Sequence, residues 1–168
     1  DTLISRREFL KDIGMIGAGV LLSASPWLSA FSEVVETSGE KCRLAIIGPG
    51  SRGRFLMSFL VQNPKVEIVA LCDIYKPSIE KALELAPKAK VYDDYREILE
   101  DKTVDAVLVA TPLNSHCQIV LDAFDAGKHV FCEKSIGFTM EECFRIYNKH
   151  ISTEKVFFLS LIHISEPT

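Results

Sequence analysis

Cysteine is scarce in this chain and its placement excludes a metal framework. Cys42, Cys72, Cys117, Cys132 and Cys143 include no C-x-x-C pair and no partnered histidine spacing, so no zinc site is expected. Cys72 and Cys132 lie inside apolar, strand-like runs and read as small buried hydrophobes rather than redox thiols. A basic excess is also missing. The formal net charge of −4 gives no electropositive field for nucleic acid. No apolar run is long enough for a stable membrane span; residues 13–22 reach about half the length that a spanning helix needs. Internal repeats and low-complexity tracts are absent. What remains is 168 residues, 48% of them hydrophobic, which is the size of one globular domain plus an extension.

The most informative stretch is KCRLAIIGPGSRG, residues 41–53. A short apolar strand runs into a glycine loop and then a helix. Gly48, Gly50 and Gly53 have G-x-G-x-x-G spacing, with Ser51 and Arg52 between the last two. The first glycine allows a sharp turn off the strand, the second a close approach of backbone N–H groups to a pyrophosphate, and the third close helix–strand packing. The helix N-terminus adds partial positive charge for phosphates. Taken alone, the spacing is a weak signal. Context strengthens it. A helix is predicted over 54–62, stopped by Asn63-Pro64, and a β-rich strand over 66–74. That strand carries Asp73 about 20 residues beyond the loop, where a dinucleotide fold places the acid that binds ribose hydroxyls. A negative charge there repels a 2′-phosphate, so NAD is the expected cofactor, with NADP kept as the lesser option by nearby Lys76.

The alternation continues. Helices are predicted over 77–85, 95–100, 117–125 and 139–150, the last opened by a capping box of Thr139 and Glu142. Strands are predicted over 90–92, 104–110 and 129–132, with a further one over 155–158. Regular β/α alternation implies an α/β fold: a Rossmann-type, doubly wound parallel sheet with helices on both faces. Ligands of such sheets bind at the carboxyl ends of strands. Asp73, the segment Thr111-Pro112-Leu113-Asn114-Ser115-His116 and the pair Glu133-Lys134 all stand at strand ends and should share one edge with the glycine loop.

The blocks ATPLNSH (110–116) and AGKHVFCEKS (126–135), together with the glycine loop, Asp73 and Asp94-Tyr95-Arg96, resemble the Gfo/Idh/MocA family of NAD(P)-dependent oxidoreductases. The resemblance covers residues 41–158 and implies that family's N-terminal cofactor domain. It implies that Thr111, Pro112, Asn114 and His116 line the nicotinamide side of the cofactor, that Glu133 meets the nicotinamide ribose, and that Lys134 is the catalytic lysine facing substrate. His116 has a plainer alternative as a helix-start residue, and Glu133-Lys134 as a solvated pair. One position departs from the family pattern. Serine stands at 135 where the family has proline, leaving the backbone after Lys134 less constrained.

Residues 5–11, SRREFLK, precede the short apolar run and a Ser/Ala-rich stretch. This resembles a twin-arginine export signal, with a folded-protein translocase as partner and a periplasmic or extracytoplasmic destination. Domain boundaries are therefore expected at 1–40 for signal and linker and 41–158 for the dinucleotide domain. The last stretch, LSLIHISEPT (159–168), resembles the translation of a transposase sequencing adapter and is expected to be a non-native tail. The family's second, substrate-binding domain would then be missing by truncation. The fragment would be inactive alone, with an apolar face exposed where that domain docks.

The expected function of the parent is hydride transfer between the nicotinamide and a sugar or polyol, in a protein that forms homo-oligomers. The leader, Arg52 and the family domain together also resemble the family's exported NAD-dependent glycosidases, which oxidise a sugar carbon transiently to allow elimination. A third reading is a cofactor-binding sensor or scaffold without catalysis.

Overall fold

A computed structural model describes residues 41–160. The expected export signal, and the tail from residue 161 onward, lie outside the described residues. In chain order the elements are β1 (Cys42–Ile47), α1 (Ser51–Leu60), β2 (Val66–Cys72), α2 (Lys76–Leu83), β3 (Lys90–Tyr92), α3 (Tyr95–Glu100), β4 (Ala106–Val109), α4 (Leu113–Asp125), β5 (His129–Cys132), α5 (Met140–Ile151) and β6 (Phe157–Leu159). The strands form one sheet in the order β3-β2-β1-β4-β5-β6, with every pairing parallel. This is the doubly wound α/β sheet expected from the alternation.

The core explains why β1 is central. Successive side chains of a strand point to opposite faces. Leu44 and Ile46 pack with Leu56, Met57 and Leu60 of α1 and with Ile79 of α2. Ala45 and Ile47 face the other way, in the layer of Ile98 from α3, Val120 and Phe124 from α4, and Ile146 from α5. A strand buried on both sides needs an unbroken apolar run, which CRLAII supplies apart from the exposed Arg43. Burying each large aliphatic side chain contributes about 1.5–3 kcal/mol before ordering costs are subtracted. The helix α5 contributes less to this core. Ile146 is its one buried residue, while Met140, Phe144 and Ile151 are exposed.

Local chemistry sets the helix ends. The capping box of α5 is present: Thr139 Oγ1 accepts from the Glu142 N–H at 3.2 Å, and Glu142 Oε2 accepts from the Thr139 N–H at 3.1 Å. Asp94 caps α3 by accepting from the Arg96 N–H at 2.9 Å. The helix α1 starts at Ser51 rather than at 54, because Gly50 is its N-cap. The helix α4 starts at Leu113, four residues before the expected position. Pro112, whose fixed φ of −58° suits the position before a helix, is its N-cap. Asn114 and His116 are therefore helical residues of the first turn, not loop residues. At the other end of the sheet, Leu159 pairs with Cys132, and the Ser160 N–H donates to the Cys132 carbonyl at 2.8 Å. Strand pairing thus includes Leu159, the first residue of the stretch that resembles an adapter, and backbone hydrogen bonding includes Ser160.

Cys42, Cys72, Cys117 and Cys132 are buried and unpaired, in keeping with the reading of Cys72 and Cys132 as small core residues. Burial pushes the thiols of Cys42 and Cys132 up to about 12, and that of Cys72 up to about 11, so the reactive thiolate is suppressed.

His150 stacks on Phe124, with ring centroids 5.8 Å apart, and its buried Nδ1 has no hydrogen-bond partner among the described residues. Burial holds its pKa below the ordinary histidine value. Burial, reinforced by the Lys155 charge, does the same for His129. Both groups then bind a proton more readily in the unfolded chain. Their penalty is absent above the unfolded pKa of about 6.5 and grows as pH falls below it. Asp101, held at about 2 chiefly by its hydrogen bonds from Thr103, loses its contribution in a separate, more acidic window. The thermal midpoint is expected to drop between pH 7 and pH 5, and His150→Phe to flatten that drop. An unchanged slope in His150→Phe would contradict the assignment to this ring.

Candidate cofactor site

The strand order reverses direction between β1 and β4, since β1 leads towards β2 on one side while β4 leads towards β5 on the other. This opens a crevice at the carboxyl ends of the strands. Backbone hydrogen bonds hold its rim in register. The Gly48 N–H donates to Cys72 O at 2.8 Å, the Ala110 N–H to Ile47 O at 2.9 Å, and the Glu133 N–H to Val109 O at 2.9 Å. The glycine loop, Asp73, Thr111 and Glu133 thus sit on one edge, as expected from the sequence.

The three loop glycines are glycine for different reasons. Gly48 has φ +84°, and a Cβ there would lie 2.8 Å from the Thr111 backbone nitrogen. A Cβ on Gly53 would lie 2.5 Å from the Gly48 carbonyl oxygen. Both are required by the protein's own packing. A Cβ on Gly50 would meet nothing within 4 Å. The protein's own packing does not call for a glycine at 50, which is the N-cap of α1 and has no capping side chain. No acidic residue occupies the first turn of α1. An open cradle at an uncapped helix N-terminus fits the pyrophosphate of a dinucleotide.

On the β2 side, Asp73 follows the strand end. Its Oδ1 accepts from the Tyr75 N–H at 2.9 Å, which orients the carboxylate and leaves the second oxygen for a ribose hydroxyl. The neighbouring Ile74 is 96% exposed and Tyr75 is also exposed, an apolar pair beside Asp73 that the sequence pattern did not single out.

On the β5 side, Glu133 is buried but engaged. Arg52 Nε donates to its Oε1 at 2.6 Å, with side chains 47% and 6% exposed respectively. Ser160 Oγ donates to the same oxygen at 3.0 Å, and the Lys134 N–H donates to Oε2 at 3.1 Å. Motif spacing contains no signal for this ion pair, which joins residues far apart in the chain. Lys134 itself is exposed, two residues after the end of β5. Its peptide bond to Ser135 is cis.

His116 is buried between the ends of β4 and β5. It is 1% exposed, with Nε2 at 2.8 Å from the Thr111 carbonyl and Nδ1 at 2.9 Å from the Ser135 carbonyl. Both ring nitrogens are spent on backbone, so the ring is a strut between the ends of β4 and β5 rather than a free face of the crevice. Thr111 is half-buried, and its Oγ1 accepts from Ser115 Oγ at 2.8 Å; Pro112 and Asn114 are exposed. No cluster of His, Cys, Asp or Glu among the described residues could hold a metal. No helix among them is long and apolar enough to cross a membrane.

A family model described as an oxidoreductase family with an NAD-binding Rossmann fold matches residues 42–161. The chain belongs to the Gfo/Idh/MocA family. Among curated relatives, a glycosyl hydrolase family 109 protein of Stenotrophomonas maltophilia is 34% identical over 162 residues, covering 89% of this chain and 34% of that protein. An alpha-N-acetylgalactosaminidase of Shewanella oneidensis is 30% identical over 174 residues, covering 90% of this chain and 38% of that protein. Among solved Gfo/Idh/MocA-like structures, a myo-inositol dehydrogenase of Lactobacillus casei, in complex with NAD(H) and myo-inositol, superposes with a TM-score of 0.68 at 32% identity. It covers 71% of this chain and 36% of that one. The chain thus spans about a third of the length of the relatives it matches.

The glycine geometry makes a direct prediction. Gly53→Ala should cost about 1–3 kcal/mol or more in chemical denaturation, because backbone must move. Gly50→Ala should stay within about 0.5 kcal/mol of the parent yet weaken dinucleotide binding. Equal stability losses at the two positions would contradict the distinction.

Proposed function

We propose that this chain is the cofactor-binding part of an exported enzyme that moves a hydride between NAD and a hydroxyl-bearing carbon of a sugar or polyol. The convergence of the open Gly50 cradle, Asp73 and Glu133-Lys134 on one switch-point edge carries this reading. Bound there, the nicotinamide supplies the hydride acceptor. Gly50 and the first turn of α1 receive the pyrophosphate. Asp73 accepts the adenosine ribose hydroxyls, and its charge favours NAD over NADP. Thr111, Pro112 and Asn114 flank the nicotinamide end, and Glu133 takes the second ribose. Lys134, exposed at the end of β5, holds or moves the proton of the reacting hydroxyl.

The names of the curated relatives favour a second, narrower reading. In it the oxidation is transient: removing hydride from one sugar carbon acidifies the neighbouring C–H, elimination expels the aglycone, water adds across the resulting double bond, and the hydride is returned to the carbonyl. The reaction is then glycoside cleavage without net consumption of NAD. The matches with those relatives extend over about nine-tenths of the chain, more than residues 41–160 and the tail together. They therefore reach into the segment that resembles a twin-arginine signal.

The test uses the protein extended by the region that follows this domain in its relatives. NADH formation with a sugar and polyol panel would support net oxidation, whereas cleavage of aryl glycosides at constant NAD would support the glycosidase. In either case Lys134→Ala should lower kcat by roughly 100-fold or more while leaving NAD binding largely intact. Binding of NAD with neither activity, and no effect of Lys134→Ala on any readout, would sink both readings in favour of a sensor.

A further inference from the structure

The ion pair between Arg52 and Glu133 has a position that bears on how the crevice fills. Arg52 is the second residue of α1, two positions after the open N-cap, whereas Glu133 directly follows β5. Since β4 lies between β1 and β5, the pair reaches across the end of β4, over the switch point. A molecule spanning from Gly50 to Glu133 must meet it. The nearby Arg54 is committed elsewhere, its Nη1 donating to the Pro49 carbonyl at 2.8 Å. Arg52 is half-exposed, and its guanidinium carbon lies 5.1 Å from the centre of the exposed Phe55 ring, on the solvent side of the pair.

The two partners differ in what they can tolerate. A buried carboxylate stripped of all partners is expensive. Glu133 keeps the Lys134 N–H on Oε2 and the Ser160 hydroxyl on Oε1 when Arg52 leaves, and an arriving hydroxyl can replace the guanidinium as the second donor to Oε1. An Arg at a helix N-terminus, for its part, is drawn to a pyrophosphate, which it can bind through two parallel hydrogen bonds. Were Arg52 to stay on Glu133, the phosphates would lose that contact and the incoming hydroxyl would find Oε1 occupied.

We propose that Arg52 and Glu133 form an exchange pair: in the empty protein they hold each other, and on dinucleotide binding Arg52 passes to the pyrophosphate while Glu133 is released to a cofactor hydroxyl. This rests on the dinucleotide reading above and adds a coupling to it. Arrival of the phosphates frees the carboxylate next to Lys134, so the two ends of the cofactor site are completed together.

A double-mutant cycle on NAD binding tests this, read by titration calorimetry on the 168-residue chain with Arg52→Ala, Glu133→Gln and both. If the pair exists only in the empty state, each single substitution recovers the free energy of breaking it, and the double variant recovers it only once. The double variant should then bind roughly threefold or more weaker than the product of the two single effects. Additive effects, or a double variant that binds better than that product, would mean the pair persists or tightens in the complex and overturn the exchange. No binding of NAD or NADP by the unsubstituted chain overturns the cofactor reading as well. Should Arg52→Ala lower the thermal midpoint, Arg52→Gln keeps the stem over Phe55 without the charge and completes the cycle.

Discussion

The close approach of α1 to the end of β1 is the constraint on which the crevice depends. The Gly53 Cα comes so near the Gly48 carbonyl that a Cβ would lie 2.5 Å from its oxygen, and Gly48 in turn lies against Thr111. Backbone against backbone leaves no room for adjustment, because neither side has a flexible end to move. That contact sets the start of α1 at the sheet edge, beside the end of β4. With the helix placed, its unsatisfied N–H groups and positive dipole end face the switch point. The remaining features are arranged around that fixed positive end: Asp73 beyond β2, and Glu133-Lys134 beyond β5.

Electrostatics then divides the crevice. Asp73 stands next to the exposed Ile74 and Tyr75, an apolar and acidic corner suited to a nucleoside. Glu133 is sunk at the opposite end, with its charge balanced by Arg52. Two carboxylates on one edge would repel an anionic ligand without compensation. The α1 N-terminus and Arg52 supply that compensation from one short segment, SRG, directly after Gly50. The same segment therefore serves the turn, the helix packing and the charge balance. The family shares this framework across proteins named as dehydrogenases and as glycosidases, as expected if both depend on presenting a sugar or polyol carbon to the same cofactor face.

Much of this was legible because the signals are local. Apolar runs such as VEIVALC and AVLV report burial on both faces, and periodicity switches where helices begin. The capping box at Thr139 and Glu142 was readable because both of its hydrogen bonds close within four residues. Helix starts were less legible. Gly50 and Pro112 act as N-caps without a capping side chain, so α1 and α4 begin before their apolar periodicity becomes evident. Lys128 carried no signal at all. Its ammonium is buried and donates to Asp101 O at 2.7 Å and Val104 O at 2.8 Å, two carbonyls brought near it by the fold alone.

The amino-acid sequence by itself determined the alternation of strands and helices, the parallel sheet and the glycines of the loop, since each follows from neighbours within one or two turns of chain. It also determined which residue types reach the carboxyl edge, because the ends of strands are local features. What those side chains do once there was decided by tertiary structure. His116 became a strut because the ends of β4 and β5 bring two carbonyls to its two nitrogens. Glu133 acquired Arg52 because the sheet order places α1 across β4 from it. The difference lies in range. Backbone conformation and burial respond to nearby residues, whereas the partner of a buried polar group is whatever the completed packing places within hydrogen-bonding distance.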